Sequence, residues 1–207
     1  MGQFLLNTIK FFFAILLLPL VITTIIVLHK HVVSQYPIDQ NMFFFWGEAA
    51  FLITYLFVHQ FEWLYDFGLK IMQKAFRFLS PLDKVLPYLV PHYLVLMMLI
   101  FYVIKKFWLQ SPAYDPYIIF FAGFSFLLHI IITARDLQDS EKSIIKPTYL
   151  FTFAFAIITT SCLAILLFDL VLQKVTFPEF FKAVTIQAKE MYLNCWNWLY
   201  PQFHWSS

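Results

Sequence analysis

Apolar residues along the chain collect into five long runs, which charged residues or prolines separate. The runs cover residues 11–28, 42–67, 87–104, 117–134 and 147–172. An α-helix needs roughly 18 to 20 such residues to cross the hydrocarbon of a bilayer. The pattern therefore predicts an all-α integral membrane protein with five transmembrane helices in a single membrane domain, residues 1–207.

Two further segments have an amphipathic pattern and predict interfacial helices, at residues 68–79 and 177–199. The first places Lys70, Lys74 and Arg77 on one face. The second begins at Thr176, Pro178 and Glu179, which predict a capping box. Its predicted apolar stripe consists of Phe177, Phe181, Val184, Ala188, Met191, Cys195 and Trp198. Docking of this second helix onto a partner protein is the alternative to a membrane anchor.

The composition supports the membrane class. Hydrophobic residues make up 61% of the chain and charged residues 13%, which leaves too little polar surface to cover a soluble globule. A net charge of +2 gives no basic surface for nucleic acid. The chain has 4 Gly, 27 Phe and no GxxxG pair, so we expect the helices to pack through large side chains.

Lysine and arginine in the connections predict the orientation. The segment before residue 11 and the connections 69–86 and 135–146 hold Lys10, Lys70, Lys74, Arg77, Lys84, Arg135, Lys142 and Lys146. The opposite side holds Lys30, Lys105, Lys106, Lys174, Lys182 and Lys189. Because positive residues favour the cytoplasmic side, this bias predicts a bacterial inner-membrane protein with its N-terminus in the cytoplasm and its C-terminus outside.

The second predicted span carries four ionisable residues on one face. At about 100° per residue, Glu48, His59 and Asp66 project in nearly the same direction, and Glu62 lies about 40° away. An ionised group that faces lipid costs a few kcal/mol. We therefore expect this polar stripe to face the protein interior.

The fourth predicted span offers a counterpart. Ser125, His129, Thr133 and Asp136 recur at helical spacing, with Arg135 at the membrane edge. Parallel packing of the second and fourth spans would form one polar pathway. Its predicted intramembrane site, for a relay or for structural pairing, consists of Glu48, His59, Glu62 and His129. Its predicted cytoplasmic mouth consists of Asp66, Arg135 and Asp136.

Three classes of function are compatible with this pattern. The first is an integral subunit of a larger membrane complex, which acts with membrane lipids and other membrane subunits. The second is a small proton, ion or lipid transporter or channel. The third is an intramembrane metal-dependent enzyme with His59, Glu62 and His129 as ligands. No GxSxG or HExxH motif is present, so we predict no catalytic residue, no metal and no cofactor, and favour the first class.

Overall fold

The computed structural model describes residues 2–35, 38–57, 66–68, 70–71, 74, 86–107, 111–141 and 147–203. Within these ranges the fold is helical and contains no strand. Its α-helices are α1 (Gly2–Gln35), α2 (Ile38–Phe57), α3 (Leu86–Leu89), α4 (His92–Phe107), α5 (Asp115–Glu141), α6 (Pro147–Leu172) and α7 (Phe177–Phe203). Most of the predicted interfacial segment 68–79 lies outside the described residues.

Three helices of the described chain are long and apolar enough to cross a membrane. They are Leu5–Gln35, Pro112–Asp139 and Pro147–Leu172, and they contain the first, fourth and fifth predicted spans. These helices are compatible with a membrane protein. The second predicted span is described only as far as Phe57, and its apolar helix Met42–Phe57 is shorter. The predicted number of five spans is therefore not established.

The third predicted span, 87–104, was expected as one helix but is divided in two. Helix α3 ends at Leu89, a bend lies at Val90, and α4 begins at His92. Pro91 has no N–H to continue the helical hydrogen bonds, and proline disfavours a helical conformation in the residue before it. The prediction that the helix continues past Pro91 to Ile104 is therefore wrong.

The long helices alternate in direction along the chain. Lys10 bonds Thr148 and Lys174 bonds the carbonyl of Gln35, so α1 and α6 are parallel. Helices α2 and α5 are also parallel, because Phe51 packs on Phe124 and Tyr55 contacts Arg135. Helix α4 is antiparallel to α5. The parallel pairing predicted for the second and fourth spans is thus present as α2 against α5, the most extensive helix contact in the described chain.

Two glycines set the closest approach between α2 and α5. A Cβ atom added to Gly47 would lie 1.9 Å from the carbonyl oxygen of Phe120, and one added to Gly123 would lie 2.1 Å from that of Phe44. Both distances are far inside van der Waals contact. The expectation that large side chains alone provide the packing is therefore wrong, since two isolated glycines bring these backbones together.

Several polar side chains are buried among the apolar residues of the core, and many large apolar side chains are exposed on the outside of the bundle. Ser125, His129, Thr133, Thr160 and Ser161 are among the buried residues. Leucine, isoleucine and phenylalanine side chains are exposed along α1, α2 and α4. Several hydroxyls bond the carbonyl four residues earlier, as Ser161 bonds Ile157, which satisfies them without water. This distribution suits a bundle surrounded by lipid.

Helix α7 lies antiparallel along α1. The rings of Phe180 and His31 are 5.8 Å apart, Met191 Sδ lies 3.7 Å from Thr23 Oγ1, and the Tyr192 hydroxyl donates to the carbonyl of Leu16. Phe180, Val184 and Ala188 form the buried side of α7. Of the predicted apolar stripe, Val184, Ala188 and Met191 face inward, whereas Phe181, Cys195 and Trp198 are exposed.

This packing differs from a helix that lies flat on the membrane. A helix antiparallel to α1 has the same inclination to the bilayer as α1 along their contact. Eleven residues follow Tyr192 in α7, and at 1.5 Å per residue they extend about 16 Å further in the same direction. The Phe203 end of α7 is therefore directed toward the end of the bundle that holds Gly2, and not toward the opposite end as the predicted orientation requires.

Replacement of Gly123 by alanine is expected to destabilise the bundle by about 1–3 kcal/mol, because the new methyl group meets the backbone of α2. Unfolding in detergent by heat or denaturant measures the loss. Gly2→Ala, which adds the same methyl group at the start of α1, is the control. Equal stability of Gly123→Ala and the native protein would contradict the close approach of α2 and α5.

Reporters fused before Met1 and after Ser207 are expected on the same side of the membrane, because α7 returns along α1. Fluorescence of green fluorescent protein, which matures in the cytoplasm but not after export in unfolded form, measures the side in bacterial cells. A fusion after the Lys105–Lys106 pair provides the opposite-side control. A C-terminal fusion that behaves like this control would contradict the placement of α7.

Candidate functional site

Glu48, the first residue of the predicted polar stripe, pairs with His29 of α1. The Nε2 atom of His29 lies 3.1 Å and 3.2 Å from the two carboxylate oxygens of Glu48. The Nδ1 atom lies 2.8 Å from the carbonyl oxygen of Ile25. The His29 ring also packs against Phe44 and Phe45 at the start of α2. The pair therefore joins α1 to α2.

The hydrogen bonds of His29 fix how many protons the pair holds. The carbonyl of Ile25 can only accept, so Nδ1 donates to it. One further proton lies between Nε2 and the carboxylate of Glu48. Whether that proton resides on nitrogen or oxygen, the pair has no net charge. A neutral, hydrogen-bonded pair costs far less in a medium of low dielectric constant than a lone carboxylate does.

His129, the predicted counterpart on α5, is fully buried and bonds the backbone of α3. Its Nε2 atom donates to the carbonyl oxygen of Tyr88 over 3.0 Å. Helix α3 ends one residue after Tyr88, and carbonyls in a last turn have no partner within their own helix. The break at Pro91 thus provides the acceptor for His129. The ring of His92 stands edge-on to His129, with centroids 5.9 Å apart.

The predicted cytoplasmic mouth is partly assembled. The Tyr88 hydroxyl donates to the carboxylate of Asp136. Asp66 and Asp136, both predicted for the mouth, lie near enough to interact electrostatically. Arg135 points elsewhere. It contacts the Tyr55 hydroxyl over 3.5 Å and lies 4.0 Å from the exposed carboxylate of Asp139. Arg135 and Asp136 therefore belong to different surroundings although they are neighbours in sequence.

His59 and Glu62 lie outside the described residues. The central part of the predicted relay, which these two residues form, therefore stays a prediction. The alternative of a metal site also stays a prediction, because two of its three predicted ligands are His59 and Glu62. Among the described ranges, no three His, Cys, Asp or Glu side chains are grouped closely enough to hold a metal ion.

Asp169 organises the opposite end of the bundle by capping α7. Its carboxylate accepts hydrogen bonds from the N–H groups of Thr176 and Phe177, at 2.8 Å and 2.7 Å, and from the Thr176 hydroxyl at 2.7 Å. A carboxylate at a helix N-terminus satisfies otherwise unpaired donors and the helix dipole. Helix α7 starts where the sequence predicted, but Asp169 engages the Thr176 hydroxyl that the predicted capping box would have used.

Two lysines complete this end. Lys174 donates to the carbonyl of Gln35, the last residue of α1, over 2.7 Å. Partial burial lowers the pKa of the Lys174 ammonium, and the carboxylates of Asp115 and Asp169 oppose this effect. Lys105 forms a 2.6 Å ion pair with Asp115 and so joins the end of α4 to the start of α5. With the Asp169 cap, these contacts involve the ends of α1, α4 and α6 and the starts of α5 and α7.

The outer side of α7 carries four ionisable residues, all of them exposed. They are Glu179, Lys182, Lys189 and Glu190. Lys189 lines a groove of about 650 Å³ with Leu20 of α1. Leu20 is the central residue of the apolar helix Leu5–Gln35. Lys189 and its neighbour Glu190 thus lie at the level of the middle of α1.

Sequence reasoning missed His29, Tyr88 and the depth of Lys189. The apolar run 11–28 predicts a first span that stops before His29, whereas α1 continues to Gln35. The sequence does contain a signal for His29. A buried Glu48 needs a polar partner, and His29 lies only 19 positions before it. Tyr88 bonds His129 through its backbone carbonyl, which has no sequence signal. The depth of Lys189 depends on the packing of α7.

Comparisons of the chain with protein-family models, with curated proteins and with solved structures find no match.

Removal of either partner of the His29–Glu48 pair is expected to destabilise the protein by about 1–3 kcal/mol, because the remaining polar group loses its hydrogen bond. The replacements are His29→Phe and Glu48→Leu. The double variant is expected to lose less than the sum of the two single variants, since it leaves no unpaired group. Unfolding in detergent measures all three. Additive losses would show that the pair has no coupling.

Proposed function

We propose that the chain is an integral subunit of a larger membrane complex and acts through contacts with other membrane proteins. In this proposal α2 and the α3–α4 segment join the three long apolar helices to make five spans in a bacterial cytoplasmic membrane. The N-terminus is cytoplasmic, as the distribution of lysine and arginine favours. Helix α7 returns through the membrane beside the first span as a sixth, amphipathic contact helix, which brings the C-terminus back to the cytoplasmic side.

The exposure of Lys189 and Glu190 at the level of Leu20 carries this proposal. Where α1 spans a bilayer, these two residues lie near its midplane and face away from their own chain. Each charged side chain at that depth costs about 2.5–3.5 kcal/mol on insertion scales. Another polypeptide that covers this side of α7 removes the cost. The ionisable groups thus mark a protein contact surface.

The interior of the bundle supports the same proposal. Among the described residues, Glu48 is paired with His29, Asp136 with Tyr88, and Lys105 with Asp115. Each of these partners belongs to a different helix from its counterpart or lies across a helix break. The pairs therefore join helices to one another, which is the structural use of a polar stripe. This use requires no movement of ions or protons.

Purification from native membranes in a mild detergent is expected to yield the chain with a companion membrane protein in fixed stoichiometry. Size-exclusion chromatography with light scattering measures the mass, and mass spectrometry identifies the companion. The triple variant Lys182→Leu, Lys189→Leu, Glu190→Leu, with unfolding measured in parallel, is expected to fold and to lose the companion. A native chain that is isolated as a lone monomer in lipid-containing detergent would overturn the proposal.

A further inference from the structure

The groove between α1 and α7 offers a binding site for a third helix. It has a volume of about 650 Å³, and its lining includes Leu20, Thr185, Ala188, Lys189, Leu193 and Trp196. Lys189 is its one charged residue. Leu193 and Trp196 are 51% and 64% exposed, so the apolar wall next to the amine is uncovered. The groove combines an apolar surface with a single cation.

We propose that a transmembrane helix of the partner protein occupies this groove and presents a carboxylate to Lys189. The inference rests on the proposed function and specifies the chemistry of its contact. An ammonium group at the level of Leu20 requires an anion at the same depth. Within the described chain no ion pair engages Lys189. An aspartate or glutamate on the partner helix supplies this charge, and small or apolar residues on the same face fit against Leu193.

A lipid phosphate does not meet this requirement. Headgroups lie at the edge of a hydrocarbon layer that is about 30 Å thick, and therefore about 15 Å from its middle. A lysine side chain that starts at the level of Leu20 is much shorter than this distance.

A second copy of the chain does not meet it either. Two copies in the same membrane orientation that meet about a two-fold axis along α7 place Lys189 opposite Lys189. Like charges at this depth repel each other. A different chain that carries a carboxylate at this depth is the occupant that avoids this repulsion.

Cross-linking with the membrane-permeant dicyclohexylcarbodiimide tests the contact in native membranes. The carboxylate adds to the carbodiimide to form an O-acylisourea. The Lys189 amine then attacks the acyl carbon, dicyclohexylurea leaves with the carboxylate oxygen, and an isopeptide bond remains. Peptide mass spectrometry is expected to find Lys189 joined to an Asp or Glu within an apolar helix of another protein.

Lys189→Arg is the matched variant, because it keeps the positive charge but lacks a primary amine. It is expected to retain the companion in purification and to lose the cross-link at least tenfold, whereas Lys182→Arg is expected to retain both. A stable companion without a Lys189-dependent cross-link would overturn the carboxylate contact and leave the subunit proposal standing. A cross-link from Lys189 to a carboxylate of this same chain would also overturn it. A lone monomer without any cross-link would overturn both proposals.

Discussion

The position of α7 depends on the carboxylate of Asp169. This residue lies in the last turn of α6 and accepts three hydrogen bonds from the start of α7. Within the same turn Gln173 has a positive φ of 53°, a conformation that ends helices and reverses the chain. Lys174 then bonds the end of α1. Together these contacts direct α7 back along α1, and the depth of Lys189 and the shape of the groove both follow from that direction.

The sequence predicted the helical class, the positions of three long apolar helices and the pairing of α2 with α5. These features depend on runs of apolar residues and on helical periodicity, which are local properties. The break at Pro91 also had a local signal, although one proline is tolerated in many membrane helices. The antiparallel packing of α7 had none, because the amphipathic pattern of α7 suits a protein surface and a membrane surface equally.

The sequence predicted which residues of the candidate site are polar and face inward, but it did not identify the groups that they bond. Periodicity placed Glu48 and His129 on inward faces, and both have polar partners in the structure. The partners themselves were not apparent. His29 lies six residues before the end of a helix that continues further than its apolar run. Tyr88 contributes a backbone carbonyl that a proline break leaves available to His129. Periodicity shows which face of a helix is polar, whereas only packing shows what that face meets.

Two groups of described charges differ in how they are neutralised. Inside the bundle, pairs such as His29 with Glu48 and Lys105 with Asp115 have no net charge and join one helix to another. On the outer side of α7, Lys189 and Glu190 project from successive positions about 100° apart, too far around the helix for one to neutralise the other well. The chain thus neutralises its interior charges by itself but leaves two charges exposed at the level of the middle of α1. The uncovered charges, more than the exposed apolar residues that lipid can cover, indicate where another protein binds.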